Sequence, residues 1–374
     1  MTNNFSTAAR KLSSCQIAGI IVICISLWST YLKAAEVADL YNAVVSISTR
    51  DNERERQQAY RVALQEILLK LTGRQDTLEN PEIKRGLGTA QTYVESWTYR
   101  TAPELMADGK EQLLLQVGFF PSEIQNLLNT SRVPIWPQNR PETLLWVVVE
   151  EELGSRAVFG STVENDTEVM ELIQSAAQNR GLPLLLPLLD FTDQRALPIE
   201  LLWDFDQVAI REASMRYGSE SILALRIFRS ISGETISKAQ YLFRDQMLEL
   251  NFVEDSTQPV VEGSIGLVAE QLASYYAVLS SGAEGQTEVL MTVEGIRGLR
   301  DYASLMQYAE NMTTVEKVDL VSVENGAVQL RLSTSGQLRQ LIESIALDKK
   351  MNPVAEATRT DARIAMHYVW QSQL

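Results

Sequence analysis

Only two cysteines occur in the 374 residues, Cys15 and Cys24, and both lie in one uncharged apolar run, SSCQIAGIIVICISLW, Ser13 to Trp28. Past that run the chain has no thiol, which excludes disulfide staples, thiol nucleophiles and thiolate metal sites together. Histidine is as scarce: His367 is the single imidazole. It falls among alternating apolar residues near the end of the chain, where a sheet-surface or packed role is expected. No G-x-S-x-G elbow is present for a Ser-His-Asp hydrolase. Positive charge is also short. Setting aside Arg10, Lys11 and Lys33 of the first 35 residues leaves 30 of the 33 basic residues against all 48 acidic ones, a net charge of −18. Such a chain repels phosphate backbones and anionic headgroups, which argues against nucleic-acid partners. Disorder is not indicated, because 45% of the residues are hydrophobic.

What is present at the start is an export signature. Arg10 and Lys11 precede an apolar stretch at residues 12–32, and no acidic residue appears before Glu36. A basic n-region followed by an apolar core is the pattern of a secretory signal. A spanning helix needs about 20 apolar residues, a length this run reaches only by counting its serines, Gln16 and Thr30. Cleavage after Ala34 or Ala35 puts Leu32 or Lys33 three positions back, and neither site is small-x-small. Residues 1–35 therefore read as a cleaved signal or a retained N-terminal anchor. Both place the rest outside the cytoplasm, since the positive charge precedes the run. Lipidation is not expected: Cys15 comes before the apolar core, and Ile23 stands before Cys24 where a small residue is needed.

The remaining length is too great for one ordinary core, and its patterns divide it into α/β and α+β domains. Residues 36–132 read as a small α+β module. Its elements are a strand over Leu40–Ile47, a helix capped by Asp51 or Asn52 and ended by Gly73, a short helix from Pro81, a hairpin of Thr92–Arg100 with Gln112–Phe120 turning near Asp108-Gly109, and a helix from Pro121. VPIWPQNRPE, Val133–Glu142, has three prolines and no periodicity, and marks a boundary. Residues 140–280 read as a three-layer, Rossmann-like α/β domain. Apolar strands at Leu144–Val149, Leu184–Leu186 and Ser221–Phe228 alternate with helices at Asp166–Arg180 and Asp206–Tyr217. Added strands at Ala239–Phe243 and Leu248–Val253 and a long helix from Val260 complete it. After the linker-like SSGAEGQ (Ser280–Gln286), residues 286–374 show the order β-α-β-β-α-β, a ferredoxin-like pattern. Asn325-Gly326 there predicts a type I′ hairpin turn.

Chemistry-bearing motifs are few. EGIRGLRD (Glu294–Asp301) has no Lys-Ser/Thr pair, so Gly295 and Gly298 are expected to shape a turn, with a weak anion site at Arg297 and Arg300 as the alternative. Glu150-Glu151-Glu152 reads as a solvated run. The best ligand candidates are Asp190, Asp193, Asp204 and Asp206. They follow or precede elements of the α/β domain, where strand ends bind ligands, although Asp is equally suited to helix caps and turns. Tyr93, Trp97 and Tyr99 form an aromatic stripe expected in the core, with glycan or partner-strand binding as the alternative. In the last domain AVQLRLS lacks the aromatics of an RNA-stacking strand.

YNAVVSISTRDNERERQQAYRVALQEILLKLTGR, YVESWTYR, IWPQNRPETLLWVVVEE and RYGSESILALRI together resemble an uncharacterised family of exported proteobacterial proteins, known only as a domain of unknown function, over most of residues 36–280. Through RYGSESILAL the middle domain is also loosely similar to TolB-like and CsgG-like envelope proteins. The resemblance implies a periplasmic setting and a role in envelope interactions, and it carries no catalytic residues. The expectation is thus a non-enzymatic periplasmic protein, soluble or held at the inner membrane by residues 12–32, with envelope proteins as partners and no cofactor. The alternative is a polar-ligand or cation-binding protein, or a carboxylate-dependent enzyme, using the four aspartates.

Overall fold

The computed structural model describes residues 34–371 except 38, 106–110, 151–153, 162–166, 231, 280–286, 313, 335–337, 349 and 361–362. The export run, the Asp108-Gly109 turn, the start of the Asp166–Arg180 helix at Asp166 and the Ser280–Gln286 linker lie outside the described residues. The chain is a multidomain mixed α/β protein with three main sheets, a two-stranded ribbon and ten helices among the described residues. No helix among them is long and apolar enough to cross a membrane.

The first unit starts with β1 (Ala34–Glu36) and β2 (Asn42–Ile47), then α1 (Glu53–Thr72). Asn52 caps α1 by accepting from the amides of Arg54 and Glu55, and Gly73 ends it in the left-handed conformation, φ 67°. Ala63, Leu64, Ile67, Leu68 and Leu71 line one side of α1 and are fully buried. After α2 (Pro81–Gly88), β3 (Val94–Leu105) and β4 (Glu111–Phe119) pair antiparallel, and α3 (Pro121–Thr130) begins on its proline. The sheet order is β2-β4-β3, so β2 and β3 are both edges. Trp97 and Tyr99 sit opposite Val117 and Leu115 on the helix-facing side, yet Trp97 is 45% exposed. This corrects the core expectation at Trp97 alone, since Tyr93 and Tyr99 pack against the core of the unit. The outer strand runs beyond the cover of α1, and Arg56 stacks over the Trp97 ring at 5.1 Å while Trp97 meets Tyr99 edge-on.

The middle unit holds β5 (Asn139–Pro141), which pairs with β1, and then β6 (Thr143–Glu150), β7 (Arg156–Phe159), α4 (Thr167–Arg180) and β8 (Leu184–Leu185). Three short helices follow, α5 (Phe191–Ala196), α6 (Ile199–Trp203) and α7 (Gln207–Ser214), of which the sequence patterns indicated only the last. β9 (Ser221–Arg229), β10 (Thr235–Phe243), β11 (Gln246–Glu254) and α8 (Thr257–Tyr276) complete it. β6 runs parallel to β8 and β9, while β7, β10 and β11 add antiparallel. Along β6, Leu145, Val147 and Val149 pack with α4 and α8, whereas Leu144, Trp146 and Val148 pack with α6 and α7. Cover on both faces is why this strand is apolar throughout.

The third unit is β12 (Thr287–Glu294), α9 (Leu299–Glu310), β13 (Val315–Glu324), β14 (Ala327–Thr334), α10 (Leu338–Asp348), β15 (Met351–Thr360) and β16 (Arg363–Trp370), with sheet order β13-β14-β12-β16-β15. β12 and β16 are parallel and the other neighbours antiparallel. Asn325 and Gly326 both have positive φ, 51° and 78°, as a type I′ turn requires. β15 is an element the sequence patterns did not indicate. Gly295 takes φ 84° and shapes the turn before α9, where Asp301 already accepts from the Arg297 amide. His367 points away from the core and meets the Glu294 carboxylate at 2.8 Å.

Candidate functional site

The four aspartates separate into one cluster and two isolated caps. Asp190 caps α5 by accepting from the Asp193 amide, and both its oxygens accept from Arg216, at 2.7 and 3.0 Å. Asp193, 1% exposed, accepts from Arg216 at 2.8 Å, from the Leu189 amide at 2.9 Å and from the Tyr217 hydroxyl. The Arg216 bonds hold the Asp190 carboxyl down at about 2, and burial with the Asp193 bond pushes the Tyr217 phenol up to about 12. Every carboxylate oxygen of this cluster already has a partner, so it fastens α5 to the 3₁₀ turn Met215–Tyr217. Asp204 follows the last turn of α6, Phe205 takes φ 58°, and Asp206 caps α7 by accepting from Ala209 at 2.9 Å. Among the described residues no group of three metal-capable side chains occurs. The aspartates therefore do not converge on a common ligand position.

The proline-rich boundary carries a feature no pattern signalled. Trp136 and Arg140 within it are both fully buried. Among the described residues Arg140 has no carboxylate partner, and five main-chain carbonyls accept from its guanidinium: Pro137 at 2.9 Å, Trp136 at 3.3 Å, Lys70 at 2.8 Å, Arg180 at 3.2 Å and Gly181 at 2.7 Å. The side chain also lies over the Trp136 ring at 4.0 Å. Lys70 is in the last turn of α1, and Arg180 and Gly181 end α4. The cation thus satisfies carbonyls left open at two helix C-termini, where the dipoles favour positive charge. Burial pushes the guanidinium down to about 9, still charged at neutral pH. The same joint is reinforced where Ile135 and Val278 exchange two main-chain bonds of 2.8 Å, where Trp136 donates to the Leu71 carbonyl and where Arg180 reaches the Gln75 side chain at 3.0 Å.

Beside this fixed joint opens a cleft of about 710 Å³. Its walls are the N-terminal part of edge strand β2, the Glu66 and Lys70 turn of α1, and Gln174, Ser175 and Gln178 of α4. Burial pushes Glu66 up to about 6 even though Lys70 lies one turn away. Lys70 instead donates to the Asn42 carbonyl at 3.1 Å. On the far wall the Gln116 side-chain oxygen is buried without a hydrogen-bond partner.

This mixed α/β multidomain protein thus presents a locked aspartate cluster, a buried arginine joint and a cleft of mixed lining between its first two units. Residues 34–137, the first unit and the connector up to three residues short of Arg140, match a family described as a domain of unknown function (DUF8605). No match was found among curated proteins or among solved structures.

Proposed function

We propose that the chain is an exported, non-enzymatic protein of the cell envelope that acts through contact with other envelope proteins. The observation that carries this reading is the outer strand β13. Leu320 and Val323 are 46% and 55% exposed, although their cross-strand partners Leu330 and Val328 are buried. The helices leave this strand partly bare, and among the described residues no strand lies beside its outward main-chain groups. An uncovered edge with apolar side chains is a template for strand addition. Export is supported by the basic residues ahead of the apolar run, with cleavage or retention of residues 1–35 both consistent with a periplasmic body. The net charge of the remainder favours protein partners over nucleic acid, and membrane contact is confined to the N-terminal segment.

In the same reading, residues 140–280 form a three-layer α/β domain of the TolB-like or CsgG-like kind. Residues 286–374 form a ferredoxin-like domain in which β15 is an added edge. The strand order β13-β14-β12-β16 supports the latter. The engagement of Asp190 and Asp193 with Arg216 and Tyr217 weighs against a carboxylate-dependent enzyme in the middle unit.

A photo-crosslinking residue at Val321 or Val323, in cells at native expression, is expected to give adducts of discrete mass, whereas the same residue at Val208 on α7 gives none. Absence of adducts from both edge positions overturns the proposal.

A further inference from the structure

The cleft between α1, β2 and α4 has a chemical bias. Its lining sets polar side chains among apolar ones such as Val37, Val44, Leu182 and Leu184, it contains no aromatic ring among the described residues, and two of its groups are acceptors without donors. Among the described residues neither a hydrogen bond nor an ion pair reaches the Glu66 carboxylate. The Gln116 oxygen on the other wall is buried and unpartnered. A buried acceptor left open is destabilising, and a half-buried carboxylate without a hydrogen-bond donor more so. The one lysine at hand relieves Glu66 only in part: its charge lowers the carboxyl through space, while its hydrogen bond goes to the Asn42 carbonyl. Asn42 in turn donates its side-chain amide to Asp39. Around the two open acceptors stand the side chains of Gln174, Ser175, Gln178 and Asn179, which both donate and accept.

We propose that this cleft is a binding site for a small polar ligand carrying a protonated primary amine. The ammonium donates to Glu66 and Gln116, and the ligand's remaining amide or hydroxyl groups meet the glutamine-rich face of α4. The volume lies within the range of small-molecule sites and suits a molecule of dipeptide size. The walls are held apart at fixed distance by the Arg140 joint, so the site is preformed rather than assembled around its ligand. Two sources share this chemistry, a peptide amine and an amino sugar. This site lies apart from the β13 edge, and its fate does not depend on the contact role proposed for that strand.

Calorimetric titration of the whole protein with alanyl-lysine and with glucosamine at pH 7.5 tests it, each probe being repeated with its amines acetylated. Binding of at least one free amine, with the acetylated form weaker by tenfold or more, is expected, and which probe binds assigns the source. Glu66→Gln is expected to weaken binding at least tenfold. Ser175→Trp, at an exposed position of α4 that faces the cleft, is expected to abolish it with the thermal transition unchanged. The proposal is overturned if neither amine gives heat at millimolar concentration, if acetylated and free probes bind alike, or if a folded Ser175→Trp variant binds as well as the parent.

Discussion

Replacing Glu66 by glutamine isolates the energetic consequence of the cleft. Its carboxyl is raised by burial from an ordinary 4.5 to about 6, the ammonium of Lys70 offsetting only part of that rise. A shift of one unit corresponds to about 1.4 kcal/mol, so ionising Glu66 in the folded state would cost roughly 2 kcal/mol in a dry site. Partial solvent access reduces this to about 1 kcal/mol. The folded protein holds this proton more tightly than the unfolded chain does. The group is therefore neutral in both states below pH 4.5, and stability falls as pH rises from there through 6, then stays level. Glutamine keeps the shape without the charge. Glu66→Gln should match the parent near pH 4.5 and exceed it by about 1 kcal/mol at pH 7.5. Urea midpoints at the two pH values, with unchanged slopes, measure the difference directly. Other carboxylates titrate equally in both proteins and cancel. A variant less stable than the parent at pH 7.5, or a difference independent of pH, would refute the reasoning.

Three further outcomes follow from the structure. Arg140→Met leaves the carbonyls of Lys70 and Gly181 buried without donors and should lose about 3–5 kcal/mol, with Arg140→Lys recovering only part because it lacks the planar fork; differential scanning calorimetry should resolve a separate transition for the first unit. Gly73→Ala should cost about 2 kcal/mol or more by denaturant titration, because φ is 67° and an added Cβ would come within 2.6 Å of the Ala273 Cβ. The low Asp190 value means its pairing with Arg216 adds stability above pH 3.8 that is lost as pH falls toward 2, so Arg216→Gln should flatten that part of the acid-unfolding profile.

The elements legible in the sequence are those whose signals are local. Asn52 and Gly73 bracket twenty residues with one apolar side, and Asn325-Gly326 fixes a hairpin by its own backbone preferences. The apolar run in β6 announces a strand covered twice. β15 escaped because Pro353 interrupts its pattern, and proline is tolerated there only because the strand lies at a sheet edge. α5 and α6 are too short for a helical period to show, so their aspartates read equally as strand-end ligands and as caps or turns. The partners that occupy them, Arg216 and Tyr217, come more than twenty residues later, where the pattern shows only the end of a helix. Trp97 alternates as a core residue should, but alternation reports the face of a strand and not how far the covering helix extends. The cleft draws on β2, α1, β4 and α4, so no window of sequence contains it. Arg140 stands between an asparagine and a proline in a stretch without period, where nothing local distinguishes a buried cation from a solvated one.

The two-way bridge between Ile135 and Val278 has a topological consequence. The middle unit is a cassette whose entry and exit lie side by side, as the ends of many domains do. The chain leaves the first unit, makes its excursion through the central sheet, and returns to the place it left. The third unit consequently docks beside the connector, with Gln340 donating to the Ala277 carbonyl and Asn139 to Asp348. The outer two units are thus neighbours at one end of the cassette, so an insertion or exchange within the central unit can alter its surface while leaving the spacing of its flanking partners intact.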